Sequence, residues 1–449
     1  MSAGELSELA ERVAGWARDG EQVEAFVARG RDTEIQVYSG EVESLSSAES
    51  AGIGIRVVAG GRQGFAYAGS LAADVVEETL AEARDNAGFA SPDEWVGLAV
   101  PDGVVAADLD LWRDDLAAFA TADKVSLALD LEKAVRAGDP RIRQVESAEW
   151  GDGAYESAIA TSTGIRAAWR RTVCYVSAQA VAGEGSETQT ASGYSVGRGP
   201  GDIDLAKAAS DAVERSTRLL GATKPRSGHL TVVFEPRITA TLLALIAGTL
   251  DGEAVLKGRS LFGDRLGQAV AAPSLTLVDD PTDPDAYGAT AYDAEGLATR
   301  RNALIEGGVL EKFLYNTYSA RRAGTVSTAS AVRAGFKSGP GTGARALSVL
   351  PGATGPDEIL ASVGDGLLVQ SVSGLHSGVN PVSGDFSVGA EGMLIEGGAI
   401  GRPVRELTIA STLQRMLQDI VAIGNDIERL PSSATGVTLA IADVSMSGA

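Results

Sequence analysis

The segment Ser373–Ala390, S-G-L-H-S-G-V-N-P-V-S-G-D-F-S-V-G-A, constrains the fold most sharply. Gly374, Gly378, Gly384 and Gly389 surround Asn380-Pro381. Gly and Pro both penalise helix interiors, so a helix through the whole segment is excluded. Proline also removes a ladder hydrogen bond, which argues against an ordinary central strand. The expectation is a long polar loop in a strand-rich region, carrying His376, one of two histidines in the chain. Such a loop is either a connector or a shaped piece of a binding surface.

The rest of the chain reads as α+β. Leu6, Leu9, Val13 and Trp16 recur at helical intervals, with Ser2 and Glu5 at capping-box spacing, predicting a helix to about Ala17. Short runs at Val23–Val27, Glu34–Tyr38 and Val42–Leu45, then Ile53/Ile55/Val57 and Phe65/Tyr67, predict antiparallel hairpins with one buried face. Helices are expected from Leu71 to about Ala87, over Leu109–Ala120 and over Asp123–Ala137. A second strand set follows at Arg141–Glu149, Tyr155–Ser162 and Ile165–Ala178, then a Gly/Ser-rich loop or ragged edge at Gly183–Asp202 and a helix from Leu205.

A chain of 449 residues exceeds one ordinary core. The turn-rich Gly221–Gly228 divides an N-terminal helix-and-antiparallel-sheet domain, 1–222, from a mainly β C-terminal domain with a few helices, 223–449. In the latter, Leu230–Phe234 leads into an apolar helix from about Arg237 to Leu250. L-I-E-G-G-V-L at Leu304 and L-I-E-G-G-A-I at Leu394 each predict a Gly-Gly hairpin. Gly335–Pro356 reads as a mobile loop, and Asp279-Asp280, Asp283, Asp285, Asp293 and Glu295 as a solvated acidic loop. A helix from about Ile409, capped by Thr408, and a last strand at Thr435–Met446 close the chain.

Several chemistries find little footing. A net charge of −22 opposes binding to nucleic acid, whose affinity rests on basic residues. No apolar run is long enough to span a bilayer, the N-terminus lacks a secretory signal pattern, and Cys174 stands alone, so a cytoplasmic protein is expected. His229 and His376 lie far apart and no H-E-x-x-H or H-E-x-x-x-H occurs, against a zinc site in this chain. His376 and Ser377 are adjacent, a poor arrangement for a base and its nucleophile, and no G-x-S-x-G elbow occurs.

The segment Ser373–Ala390, together with L-I-E-G-G-A-I-G-R-P-V and T-I-A-S-T-L-Q-R-M, resembles the C-terminal signature of the TldD/PmbA family. K-G-R-S-L-F at Lys257–Phe262, D-A-E-G at Asp293–Gly296, Y-S-A-R-R-A-G at Tyr318–Gly324 and G-N-D-I-E at Gly424–Glu428 extend the match. The resemblance implies a two-subunit cytoplasmic metalloprotease acting on peptides or unfolded protein. In that family one subunit, the TldD type, carries zinc on an H-E-x-x-x-H helix with a later cysteine, and the TldE (PmbA) type lacks these ligands. The matching helix here, about Arg237–Leu256, has no histidine, and the C-terminal cysteine is missing.

The resemblance therefore implies a non-catalytic, substrate-guiding subunit with no cofactor of its own, zinc in a TldD-like partner, and a homodimer as a further option in isolation. His376, Ser377, Asn380, Ser383 and Asp385 are the expected substrate or interface loop, with no catalytic residue and no metal ligand. Two rivals are an independent serine-type hydrolase using Ser377 with His376, and a regulatory binding protein of the gyrase-modulator type.

Overall fold

The computed structural model describes residues 3–448, so the expected Ser2 cap lies outside the described residues. Helix α1 (Ala3–Ala14) buries Leu6, Leu9, Ala10 and Val13, the stripe that its i, i+3, i+4, i+7 spacing dictates. Six antiparallel strands follow: β1 (Glu21–Tyr38), β2 (Glu41–Ala59), β3 (Arg62–Ala68), β4 (Ile142–Thr161), β5 (Arg166–Ala182) and β6 (Gln189–Gly197). They form one sheet in the order β3-β2-β1-β4-β5-β6.

The expected breaks between Val27 and Glu34 and between Glu149 and Tyr155 do not occur; β1 and β4 run through them, paired in continuous register from Glu24–Thr161 to Val37–Ala148. Gly30 is needed for space rather than for a turn. A Cβ there would lie 2.8 Å from the Tyr155 ring. Of the two expectations for Gly183–Asp202, loop or ragged edge, the edge strand forms: β6 closes the sheet and buries Gln189, Gly193 and Ser195.

The expected single buried face holds towards the ends of the long strands, as at Ile35 and Val37 against exposed Glu34 and Tyr38, whereas the stretch around Phe26 and Ile159 is covered on both faces. Val23, Ala25 and Val27 of β1 pack under α1 and α2 (Ala73–Phe89). Trp150, Val176 and Ala178 pack under α4 (Thr121–Gly138) and α5 (Leu205–Thr217), and Leu116 of the short α3 (Asp114–Ala117) joins the same core. The predicted helix over Leu109–Ala120 shrinks to α3, because the preceding residues run extended along Thr172 of β5, bonding it through Leu111 and Arg113. The opposite face carries Phe26 and Ile159, which pack against Leu297, Ala329 and Phe336 of the C-terminal half.

That half is built on β7 (Gly228–Phe234). It pairs in parallel with Gly366–Ser373 and antiparallel with Leu439–Ser447, inside a second six-stranded sheet completed by Asp385–Glu396, Ala399–Thr412 and Ile420–Ile423. Helix α6 (Pro236–Thr249) follows β7 directly, with proline at its first position, and buries Ile238, Leu242, Leu243 and Ile246. A five-stranded sheet includes Leu277–Asp279, Asn302–Glu306 and Leu347–Val349. The last of these lies inside the expected mobile loop, anchored by buried Leu347 and Val349. Both Gly-Gly turns form, with φ of 55° and 81° at Gly307-Gly308 and 59° and 82° at Gly397-Gly398. The expected helix from Ile409 starts only at Leu413, with Thr412 rather than Thr408 as its cap. Residues up to Thr412 instead pair with the strand that begins at Asp385.

Candidate functional site

The segment from Ser373 to Ala390 is a loop only in its middle. Ser373 ends one strand, Leu375–Gly378 forms a single helical turn, and a strand resumes at Asp385 with Phe386, Val388 and Ala390 buried. Pro381 falls in the turn, ahead of the first ladder bond, so it does not oppose the strand that follows. His376, Ser377, Asn380, Ser383 and Asp385 are all exposed at this turn. The Asn380 side-chain oxygen accepts from the backbone N–H groups of Val382 (2.9 Å) and Ser383 (3.2 Å). Ser383 donates to Asp385 at 2.6 Å, and Ser377 donates to the Gly374 carbonyl at 3.3 Å. The polar groups shape the turn. Ser377 is engaged with backbone and not with His376, so no nucleophile–base pair forms.

Helix α6 reads P-R-I-T-A-T-L-L-A-L-I-A-G-T and offers no histidine, cysteine or carboxylate. His229 is exposed on β7, with Nδ1 3.3 Å from Asp443 and Nε2 3.4 Å from Ser445 Oγ. Cys174 is fully buried in β5, its Sγ donating to the Gly199 carbonyl at 3.3 Å. Burial, followed by the nearby Asp202 carboxylate, pushes its thiol up to about 12. Among the described residues no three His, Cys, Asp or Glu side chains are grouped to hold a metal ion. The residues present do not fit a zinc centre.

Chemistry-bearing residues instead meet where the N-terminal sheet faces the C-terminal half. Glu24 of β1 sits directly opposite Arg56 of β2 and forms an ion pair with it at 2.5 Å. Arg333 reaches the other Glu24 oxygen at 2.8 Å, and Arg56 lies 3.5 Å from Glu295. All four side chains are almost sealed from water. Burial opposes ionisation of Glu24, but the charges of Arg56 and Arg333 outweigh it and hold its carboxyl below the ordinary range.

Three of the residues expected in a solvated acidic loop are buried here. Asp279 accepts from the backbone N–H groups of Arg345 and Ala346 at 2.8 and 2.7 Å. Asp293 accepts from those of Glu295, Leu297 and Ala331, and Glu295 from that of Thr317. Backbone donors at fixed positions demand acceptors, and short carboxylates supply them; only Asp283 and Asp285 of the cluster are exposed.

Beside this network is a cavity of about 630 Å³. One wall is the sheet face with Phe26, Tyr155 and Trp169; the other is the segment Arg333–Ser338, with Arg345 beyond it. Phe336 fits because β2 carries G-I-G: a Cβ on Gly52 would lie 2.3 Å from its ring, and one on Gly54 would lie 2.4 Å from its carbonyl oxygen. Glu24, Arg56 and Arg333 lie 32 to 309 positions apart in the chain, so no local motif announces their meeting. The one sequence signal is two glycines at alternate positions of an apolar strand, which marks a close approach.

Three family profiles match successive parts of the chain: the PmbA/TldA metallopeptidase domain 1 at 23–87, the central domain at 114–220 and the C-terminal domain at 227–448. The chain belongs to the PmbA/TldD family. Among relatives within it, the metalloprotease PmbA of Escherichia coli O157:H7 is 28% identical over 420 residues, covering 92% of this chain and 90% of that one. A metalloprotease TldD homologue of Haemophilus influenzae is 26% identical, covering 84% and 80%. A Bacteroides thetaiotaomicron structure, described as a candidate modulator of DNA gyrase, is 28% identical with a TM-score of 0.89, covering 99% of each chain. TldE from Thermococcus kodakarensis, at 23% identity and a TM-score of 0.87 over the full length of both chains, shares the fold. Within the PmbA/TldD family this chain is PmbA-like.

Proposed function

We propose that this chain is the non-catalytic, substrate-guiding subunit of a two-chain zinc metallopeptidase, acting in the cytoplasm beside a TldD-type chain that supplies the metal. The observation that carries this reading is the composition of α6. A family of metallopeptidases places this chain among its members, yet α6 offers no metal-ligating side chain and buries an aliphatic face instead.

A second feature supports a role as subunit. Residues 41–51 of β2 are exposed throughout, while β3 covers only the part of β2 beyond Gly52. A long sheet edge left open invites pairing with another strand, from a partner chain or an extended peptide. The exposed turn with His376, Ser377, Asn380, Ser383 and Asp385 adds a second surface for the partner or the peptide. Both surfaces fit a peptide or unfolded protein as substrate, recognised through its backbone.

The test is co-purification. The chain, tagged and expressed in its own cells, brings down a TldD-type chain with an intact H-E-x-x-x-H in stoichiometric amount. Recovery of a topoisomerase with no TldD-type chain contradicts the proposal and favours a gyrase-modulator role.

A further inference from the structure

We propose that the cavity between the N-terminal sheet and the segment Arg333–Ser338 binds a carboxylate carried next to an apolar group, as at the C-terminal end of a peptide. This rests on the substrate-guiding reading for its choice of peptide, and on the cavity itself for its chemistry.

Charge is the first argument. The chain carries −22 overall, yet five cationic side chains line this cavity against a single carboxylate, Asp32. Asp32 is already engaged by the Tyr155 hydroxyl. Arg29 is tied to Glu156 at 2.6 Å. Of the other four, Arg333 shares the Glu24 carboxylate with Arg56. Among the described residues, Arg171, Lys337 and Arg345 make no ion pair. Arg333 gives Nη2 to Glu24 and to the Ala294 carbonyl, but its Nε and Nη1 are buried without a partner, although the side chain is only 2% exposed. The Arg345 Nε is likewise buried and unpartnered. Burial, then the charge of Arg171, lowers the pKa of Arg345, so an anion placed here relieves both effects.

Three of these cations also lie over aromatic rings. The Arg333 guanidinium lies 4.3 Å from the Phe26 ring centre, Arg171 5.4 Å from Tyr155, and the Lys337 ammonium 5.9 Å from Phe336. A ring face orients a cation without cancelling its charge, so the donors stay directed and available. A planar guanidinium matches a carboxylate with two parallel hydrogen bonds. The same rings, with Trp169 6.1 Å from Phe26, give the apolar wall for the group next to the carboxylate.

The geometry favours a carboxylate over a phosphate. The lining comes from strands and coil, with no helix N-terminus among it to supply a fan of N–H donors. Asp32 on the wall also opposes a multiply charged anion.

The experiment is calorimetric titration of the purified full-length chain with a short peptide ending in phenylalanine, as the free acid and as the C-terminal amide. Inorganic phosphate serves as competitor. The free acid binds, the amide binds about tenfold more weakly or worse, and phosphate does not displace the acid. R171Q and K337Q weaken binding of the acid while leaving the amide unchanged. R345A does the same, with circular dichroism as the check on folding; should it unfold, the other two variants decide. Equal binding of acid and amide, displacement by phosphate at comparable concentration, or no binding of the acid to the folded chain overturns the proposal. Cleavage is not read in this test. A chain that pairs with a TldD-type subunit but ignores the carboxylate loses only the cavity assignment, and the reverse result loses only the subunit assignment.

Discussion

Arg333 Nη2 lies 2.8 Å from Glu24 Oε1, both side chains are shut away from water, and the contact joins residues 309 positions apart. Glu24 also holds Arg56, its cross-strand neighbour, so one carboxylate ties the N-terminal sheet to the C-terminal half. Buried ion pairs add little net stability over well-packed apolar groups, but removing one member leaves an uncompensated buried charge.

Glu24→Gln is therefore expected to destabilise the chain by about 3–5 kcal/mol in chemical denaturation, since two arginines lose their shared carboxylate. The pH dependence follows from sign. The folded-state pKa of Glu24 lies below its ordinary 4.5, so its contribution is present above that value and disappears as pH falls through the folded pKa. The variant loses this part of the acid limb of the stability profile.

Asp279 titrates in the opposite sense. Burial, only partly offset by the two backbone N–H bonds, pushes its carboxyl up to about 6 from an ordinary 3.8. Its contribution is largest below about 4 and is lost as pH rises through about 6, a span worth on the order of 3 kcal/mol. Asp279→Asn keeps an oxygen for the Arg345 and Ala346 N–H groups and removes the charge. Thermal melts of this variant between pH 4 and 8 are expected to show a shallower decline with pH than those of the parent.

Gly52 tests the docking of Phe336. An alanine Cβ there would meet both the Phe336 ring at 2.3 Å and the Ala68 carbonyl at 2.4 Å. Gly52→Ala is expected to cost about 1–3 kcal/mol and to displace the segment Arg333–Ser338, read as a change in Trp169 fluorescence. An unchanged spectrum and melting temperature contradict this packing.

Cys174 should be inert in the folded chain. Its thiol is buried and its pKa is raised to about 12, leaving almost no thiolate near neutral pH. A thiol reagent at pH 8 is expected to react only after denaturant is added. Rapid labelling without denaturant contradicts the burial.

The hairpins and apolar helices were legible because their signals are local. Gly307-Gly308 and Gly397-Gly398 need positive φ, and α1 and α6 carry their buried faces at helical spacing. Strand length was not legible. Gly30 and Gly153 look like breaks in sequence, but each leaves room for the Tyr155 side chain, Gly30 from the neighbouring strand and Gly153 from two residues along its own, so the strands continue. The turn of Ser373–Ala390 was visible, whereas the strand following Pro381 was hidden by a proline that precedes the ladder. The cavity was invisible, because its lining joins residues near 30, 155–171 and 333–345 that no local pattern connects. The acidic run at Asp279–Glu295 looked solvated because nothing local shows that backbone donors from residues 317, 331, 345 and 346 converge on it.

Peptide cleavage by the isolated chain tests the central claim most directly. The chain is purified from cells that lack any TldD-type subunit, supplied with zinc, and assayed on an unstructured peptide alone and after mixing with that subunit. The chain alone is expected to cleave nothing, and the mixture to cleave until the partner's H-E-x-x-x-H is altered. Cleavage by the chain alone, free of any TldD-type subunit, would contradict the claim.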